Sequence, residues 1–178
     1  MLETITLPSI PNVKIQVLHT DSNPTSSNND CAYIINNASI VLKIEVGGFK
    51  FLFSGDANGK ERDEPPPGTP GHVEAKLLAF EATHPGALKA DVLKVPHHGS
   101  ETASTQAFID AVNPTFAIIS ASTRNHLPKP TTVARYESNT QRVVLRTDDH
   151  TEPDIDHIMC FKDADGKLDC NFLNVIMP

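Results

Sequence analysis

Tryptophan is absent, and eight phenylalanines and two tyrosines supply the only aromatic bulk. No stretch of the 178 residues approaches the roughly 18 consecutive apolar residues that a membrane-spanning helix needs. Positive charge is scarce: 15 Lys and Arg against 22 Asp and Glu leave a net charge of −7. Such a chain is a poor bulk binder of the nucleic-acid backbone, although a bound cation reverses the field locally. Cysteine is limited to Cys31, Cys160 and Cys170. An odd count without close pairing argues against a disulfide scaffold and against a zinc ribbon, so all three are read as buried or half-buried thiols. The opening LETITLPSIPNVK alternates apolar and polar residues instead of forming the h-region of a signal peptide, and the compartment expected is the cytoplasm.

What is present is enough for one core. Apolar residues make up 39% of the chain, and its length suits one domain, taken as 1–178. Residues 13–18 alternate as a strand, and residues 19–30 are a polar loop. Strands follow at 39–46 and 49–53, joined at Gly47-Gly48, a hairpin signal. Residues 58–71 are rich in proline and glycine and read as a surface loop. A helix fits 72–82, with Val73, Leu77 and Phe80 on one face. The second half alternates strand and helix: strands at 91–95, 116–120 and 142–147, helices at 103–112 and 131–136. Pro130 stands near the first position of the second of these helices. A late hairpin is expected at about 157–175, turning at Asp163 to Gly166. The pattern is that of an α/β fold.

Two segments carry candidate chemistry. In Phe51-Leu52-Phe53-Ser54-Gly55-Asp56-Ala57 an apolar strand ends in a small-residue turn with one carboxylate. Glycine lets the backbone approach whatever that carboxylate binds. In Val92-Leu93-Lys94-Val95-Pro96-His97-His98-Gly99-Ser100 a buried strand ends in two imidazoles. Open α/β sheets place their sites at such C-terminal strand ends. Carboxylate oxygen and imidazole nitrogen are ligands that zinc, manganese or iron accept. Each signal is weak alone: an aspartate in a turn and histidines in a loop are ordinary surface features.

Together they resemble the metallo-β-lactamase superfamily, in its competence-protein (ComEC-like) branch. The matching residues run from Asn36 to Ile44, through Leu52 to Asp56 and Ala90 to Ser100, and on through Asn113 to Ser120, Asn125 and Arg146 to Asp148. The resemblance implies an αβ/βα sandwich with metals at one edge between two sheets. It makes Asp56 the carboxylate shared between two metal positions and one of His97 and His98 a ligand, the other standing behind it. Asn125 and Ser100 become possible outer groups. The implied activity is metal-dependent hydrolysis, with zinc or manganese as cofactor and a phosphodiester as substrate.

The departures matter as much. The family's HxHxDH motif is absent, and His-x-His occurs nowhere in the chain. Where the family has His-Pro four residues after Asn125, this chain has Lys129-Pro130, and His126 is off register. A lysine does not replace a neutral imidazole ligand while it keeps its charge. The chain therefore reads as the C-terminal half of the fold, lacking up to four ligands and leaving one sheet face without its partner layer. Its partner is a missing N-terminal half or a second copy of the chain. Alone it is expected to be inactive. The rival reading is a non-catalytic binding or assembly module derived from the same fold. Of the remaining histidines, His19 is a minor ligand candidate at a strand end, and His72, His84, His150 and His157 are read as solvated. The Asp163-x-Asp165-Gly166 segment lacks the rest of a calcium loop and reads as a turn.

Overall fold

The computed structural model describes residues 3–6, 10, 12–25, 30–62, 64, 68–122, 126–149 and 157–172. These form nine strands: β1 (Glu3–Thr6), β2 (Val13–His19), β3 (Val41–Val46), β4 (Phe49–Phe53), β5 (Val92–Lys94), β6 (Phe116–Ile119), β7 (Val143–Arg146), β8 (Ile158–Lys162) and β9 (Leu168–Phe172). The helices are α1 (Cys31–Asn37), α2 (His72–Thr83), α3 (Gln106–Val112) and α4 (Pro130–Glu137). Strands β1 to β7 lie in one sheet in chain order, and β8 and β9 form a separate hairpin. Pairing is antiparallel from β1 to β4 and parallel from β4 to β7. The mixed sheet with its helices is the α/β architecture that the sequence predicts, and it is compatible with an αβ/βα sandwich.

Three successive parallel crossovers in one direction put α2, α3 and α4 on a single face, because such connections are right-handed. The main core lies there. Leu52, Leu93, Val95, Ala117 and Ile119 of the sheet side pack against Val73, Leu77, Phe108, Ile109, Val112, Val133 and Tyr136 of the helices. Alternation sends Phe51, Val92, Phe116, Ile118 and Leu145 to the opposite face. There the β8–β9 hairpin covers them with Ile158, Cys160, Leu168 and Cys170. So the face expected to lack a layer is partly covered by the chain itself.

Several expectations are corrected. Cys160 and Cys170 are opposed in the hairpin register and joined by a disulfide, while Cys31 is free and exposed. Spacing alone hid this bridge, since ten residues separate the two positions and only the hairpin turn brings them together. Asn58, Gly59 and Lys60, placed by composition in a surface loop, are buried. Helix α3 starts at Gln106 rather than 103, because residues 100–105 wrap a buried carboxylate instead. On α2 that carboxylate, Glu74, joins Val73 and Leu77 in the interior, and Phe80 is only half-buried. Helix α1 fell between the predicted elements; Asp30 caps it by accepting from the Ala32 N–H at 2.8 Å. The expected irregular stretch 148–156 and the end of the last strand fall mostly outside the described residues.

The hairpin makes one expectation concrete. An unreduced, denatured chain should expose one titratable thiol, Cys31, and three after reduction. Replacing Cys160 and Cys170 by serine should cost about 2–3 kcal/mol of stability for a loop this short, read from urea midpoints. Three thiols before reduction, or an unmoved midpoint, would count against the bridge.

Candidate functional site

Strand pairing explains how residues 41 positions apart meet. β4 and β5 are parallel neighbours, and Phe53 is in register with Lys94. Both chains then turn off the same edge. Asp56 lies three residues past one strand end, and His97 and His98 three and four past the other. The turns are tight for identifiable reasons. Gly55 has φ +55°, and a Cβ there would sit 3.1 Å from the Ser39 Oγ. That same hydroxyl accepts the Asp56 N–H at 3.0 Å. The two loops are tied directly by the His97 N–H, which donates to the Gly55 carbonyl at 3.0 Å.

His97 and His98 sit in a short 3-10-like turn with φ of 49° and 53°, followed by Gly99 at 76°. A left-handed backbone costs a non-glycine residue about 1–2 kcal/mol. Strain of this kind persists only where surroundings over-determine it, and it concentrates at functional sites. Here the fixings are the Ser100 N–H on the His97 carbonyl at 2.8 Å and the Lys129 N–H on the Gly99 carbonyl at 2.9 Å. Gly99 has no alternative, since a Cβ would lie 2.5 Å from that of Pro128.

The two imidazoles have different surroundings. His98 donates from Nδ1 to the Ser120 carbonyl at 2.5 Å. A carbonyl only accepts, so this contact places a hydrogen on Nδ1, and Nε2 of the neutral ring is then an acceptor. That Nε2 stands 3.4 Å from the Asp56 Oδ1, with both side chains about two-fifths exposed. Beside them a cavity of about 260 Å³ is lined by His98, Ser120, Ala121, Ser122 and Leu127. His97 is instead enclosed. Its Nδ1 lies 3.3 Å from Asn58 Oδ1 and 3.2 Å from Thr102 Oγ1, and its Nε2 lies 3.5 Å from Asn36 Nδ2. Burial holds its pKa below the usual histidine value, partly offset by the negative charge of Asp56. Lys94 is similarly depressed by burial, with Asp56 opposing.

The other candidates are elsewhere engaged. His19 Nε2 faces the Asn37 carbonyl at 3.4 Å. Ser100 is buried, its hydroxyl 3.1 Å from that of Thr102. His126 is exposed in a turn with φ 54°, and Asn125 lies outside the described residues. His72, expected to be solvated, has a side chain only 12% exposed; its Nε2 is 3.1 Å from Glu61 Oε1, its Nδ1 3.1 Å from Asn37 Nδ2, and Tyr33 packs on the ring. Asn36, Asn58 and Thr102 were not singled out from the sequence. Amides and hydroxyls leave no periodic signal, and the one hint was the place of Asn58 two residues after Asp56 and of Thr102 four residues after His98. Among the described residues no group of three His, Cys, Asp or Glu side chains could hold a metal ion.

No family model matches the chain. It is 35% identical over 115 residues to ComE operon protein 3 of Bacillus subtilis, which covers 64% of this chain and 13% of that protein. It is 29% identical over 114 residues to competence protein ComA of Neisseria gonorrhoeae, covering 64% and 14% respectively. A third relative is the uncharacterized protein YcaI of Escherichia coli, 34% identical over 104 residues, 57% of this chain and 12% of that one. The matched stretch is thus a small part of each of these longer proteins.

Behind the site, Glu74 is fully buried and its pKa is pushed up by burial to about 7, against hydrogen bonds from Thr105 and Ser104. A native pKa above the ordinary 4.5 means that the folded chain holds the proton more tightly than the unfolded one. The associated stability is complete below about pH 4.5 and is lost as pH rises through about 7, a swing of about 3 kcal/mol. Urea midpoints at pH 5 and pH 8 should therefore fall with pH more steeply for the wild type than for Glu74→Gln. Parallel slopes would contradict a protonated Glu74 at low pH.

Proposed function

We propose that the chain is part of a metal-dependent hydrolase domain that serves a competence-related role and acts on a phosphodiester. Similarity to two competence proteins supports the role. The chemistry rests on one observation. Asp56 Oδ1 and His98 Nε2 are both acceptors once the Ser120 carbonyl has claimed the Nδ1 proton, and they face each other at 3.4 Å. Two acceptors in that relation need a cation between them. A shared proton would satisfy them as an ion pair. Zinc or manganese satisfies them too: about 3.4 Å is the separation of two ligands each about 2.1 Å from one tetrahedral ion. A metal-binding histidine characteristically donates its other N–H to a carbonyl, as His98 does.

In this reading Asp56 and His98 hold the metal. When bound, zinc or manganese activates water near neutral pH and stabilises charge developing on the scissile group. The chain's own contribution is orientation: the Gly55 turn and Ser39 fix Asp56, and Ser120 fixes His98. Two donors do not close a four-coordinate site. The remaining ligands are assigned to the HxHxDH half that the family resemblance puts before this stretch, carried by a longer protein or by another chain. The Cys160–Cys170 bridge supports an oxidising compartment rather than the cytoplasm, since cytosolic thiols are kept reduced.

The chain alone should bind zinc weakly and cleave nothing. Supplying an N-terminal segment that carries HxHxDH should restore cleavage of a nitrophenyl phosphodiester, silenced by a chelator. Asp56→Ala should then abolish turnover, and His98→Ala should be more damaging than His97→Ala. Activity that survives both Asp56→Ala and chelation would sink this reading.

A further inference from the structure

His97 is the histidine that Asp56 does not face, yet it is the more tightly built. Asn58 is 1% exposed, and its orientation is over-determined. Its backbone carbonyl accepts the Val73 and Glu74 N–H groups at the start of α2, at 3.1 and 3.2 Å. Its Nδ2 points at Asn37 Oδ1 at 3.5 Å, which turns Oδ1 to the other side. There Oδ1 receives the Thr102 hydroxyl proton at 3.0 Å. With that proton committed, both oxygens near His97 Nδ1, on Asn58 and on Thr102, are acceptors. The nitrogen they surround must then carry hydrogen. On the far side of the ring, the Asn36 amide offers a donor to Nε2, which fits a lone pair there. The three contacts agree on one tautomer.

We infer that Asn58 and Thr102 are positioning residues that hold His97 as its Nδ1–H tautomer, with its Nε2 left as the acceptor that faces the Asn36 amide. Ser120 does the same for His98, so the turn presents two imidazoles in one matched state. Neutral exposed histidine favours the opposite, Nε2–H form, so the state is imposed by the fold. The inference rests on the hydrolase reading only for its purpose; the tautomer itself is independent of metal and activity.

Long-range proton–nitrogen NMR of the uniformly nitrogen-15-labelled, metal-free chain at pH 8 reads it directly. His97 and His98 should both show the Nδ1-protonated pattern, while exposed His126 and His157 show the Nε2-protonated one. Thr102→Val and Asn58→Leu together remove both acceptors and should return His97 to the Nε2-protonated pattern and leave His98 unchanged. The unchanged His98 pattern also reports that the variant is folded. An Nε2-protonated His97 in the wild type overturns the inference, as does a double variant that keeps the His98 pattern with His97 still fully Nδ1-protonated. Zinc added to the same sample tests the hydrolase reading separately, through loss of the His98 Nε2 lone-pair signal.

Discussion

A single buried carboxylate holds the two site loops in relation to each other. Glu74 accepts the Ser104 N–H at 2.6 Å and the Thr105 N–H and hydroxyl at 2.9 and 2.6 Å. It also fills the space beside Gly59, where a Cβ would lie 2.1 Å from its carboxyl carbon. One acid thus grips the segment after His98 and the segment after Asp56. The Gly59 and Lys60 N–H groups close the link by donating to the Thr102 carbonyl at 2.8 and 3.0 Å. From the other side Arg135 donates to the Ala103 and Ser104 carbonyls, and the Tyr136 hydroxyl to the Ser104 Oγ at 2.9 Å. A buried acid costs stability unless its oxygens are satisfied, and these three donors satisfy them.

That framework explains why a strained turn survives. Two left-handed histidines cost the backbone a few kcal/mol at most, about 1–2 kcal/mol each. The hydrogen bonds to Gly55, Gly99 and Ser120 tie each turn of the chain to a different element, so relaxing one residue would break several contacts. The gain is directional. Left-handed backbone at 97 and 98 swings successive side chains apart: one ring goes into the Asn58–Thr102 pocket and the other outward to Asp56. A pair of histidines in an ordinary extended loop would also diverge, but neither ring would be fixed.

Periodicity and punctuation made the sheet legible. Apolar runs at 13–18, 49–53, 91–95 and 116–120 all became strands, and the two strand-end loops with Asp56 and His98 stood out by composition alone. What stayed hidden depends on contacts between distant segments. Asn58 looked like the start of a surface loop because it precedes a run of glycine and proline, yet α2 and Thr102 bury it. Glu74 drew no notice in the sequence, since its burial depends on a loop thirty residues later. The Cys160–Cys170 bridge needed the hairpin register, which thiol counting does not supply. His72 looked like a loop histidine because nothing local marks Tyr33 or Asn37 as its neighbours.

Two deficits coincide at one side of the molecule. In chemistry, Asp56 and His98 offer two donors where a metal needs more. In packing, the outer sheet face is covered by the β8–β9 hairpin over Val92 and Phe116 but less so toward β1 to β4. There Ile5, Ile15 and Ile44 line up across the register with Phe51, and Val17 and Leu42 with Phe53. Ile5 and Phe53 are each 41% exposed. Scattered apolar exposure is ordinary, but a row in register across four strands is the kind of surface that an additional layer covers. Phe53 belongs to that row and also begins the turn to Asp56. A layer seated on the row would therefore arrive beside the Asp56 carboxylate. Under the proposed reading, one added sheet would bury the apolar row and deliver the missing ligands together, and neither deficit requires a second explanation.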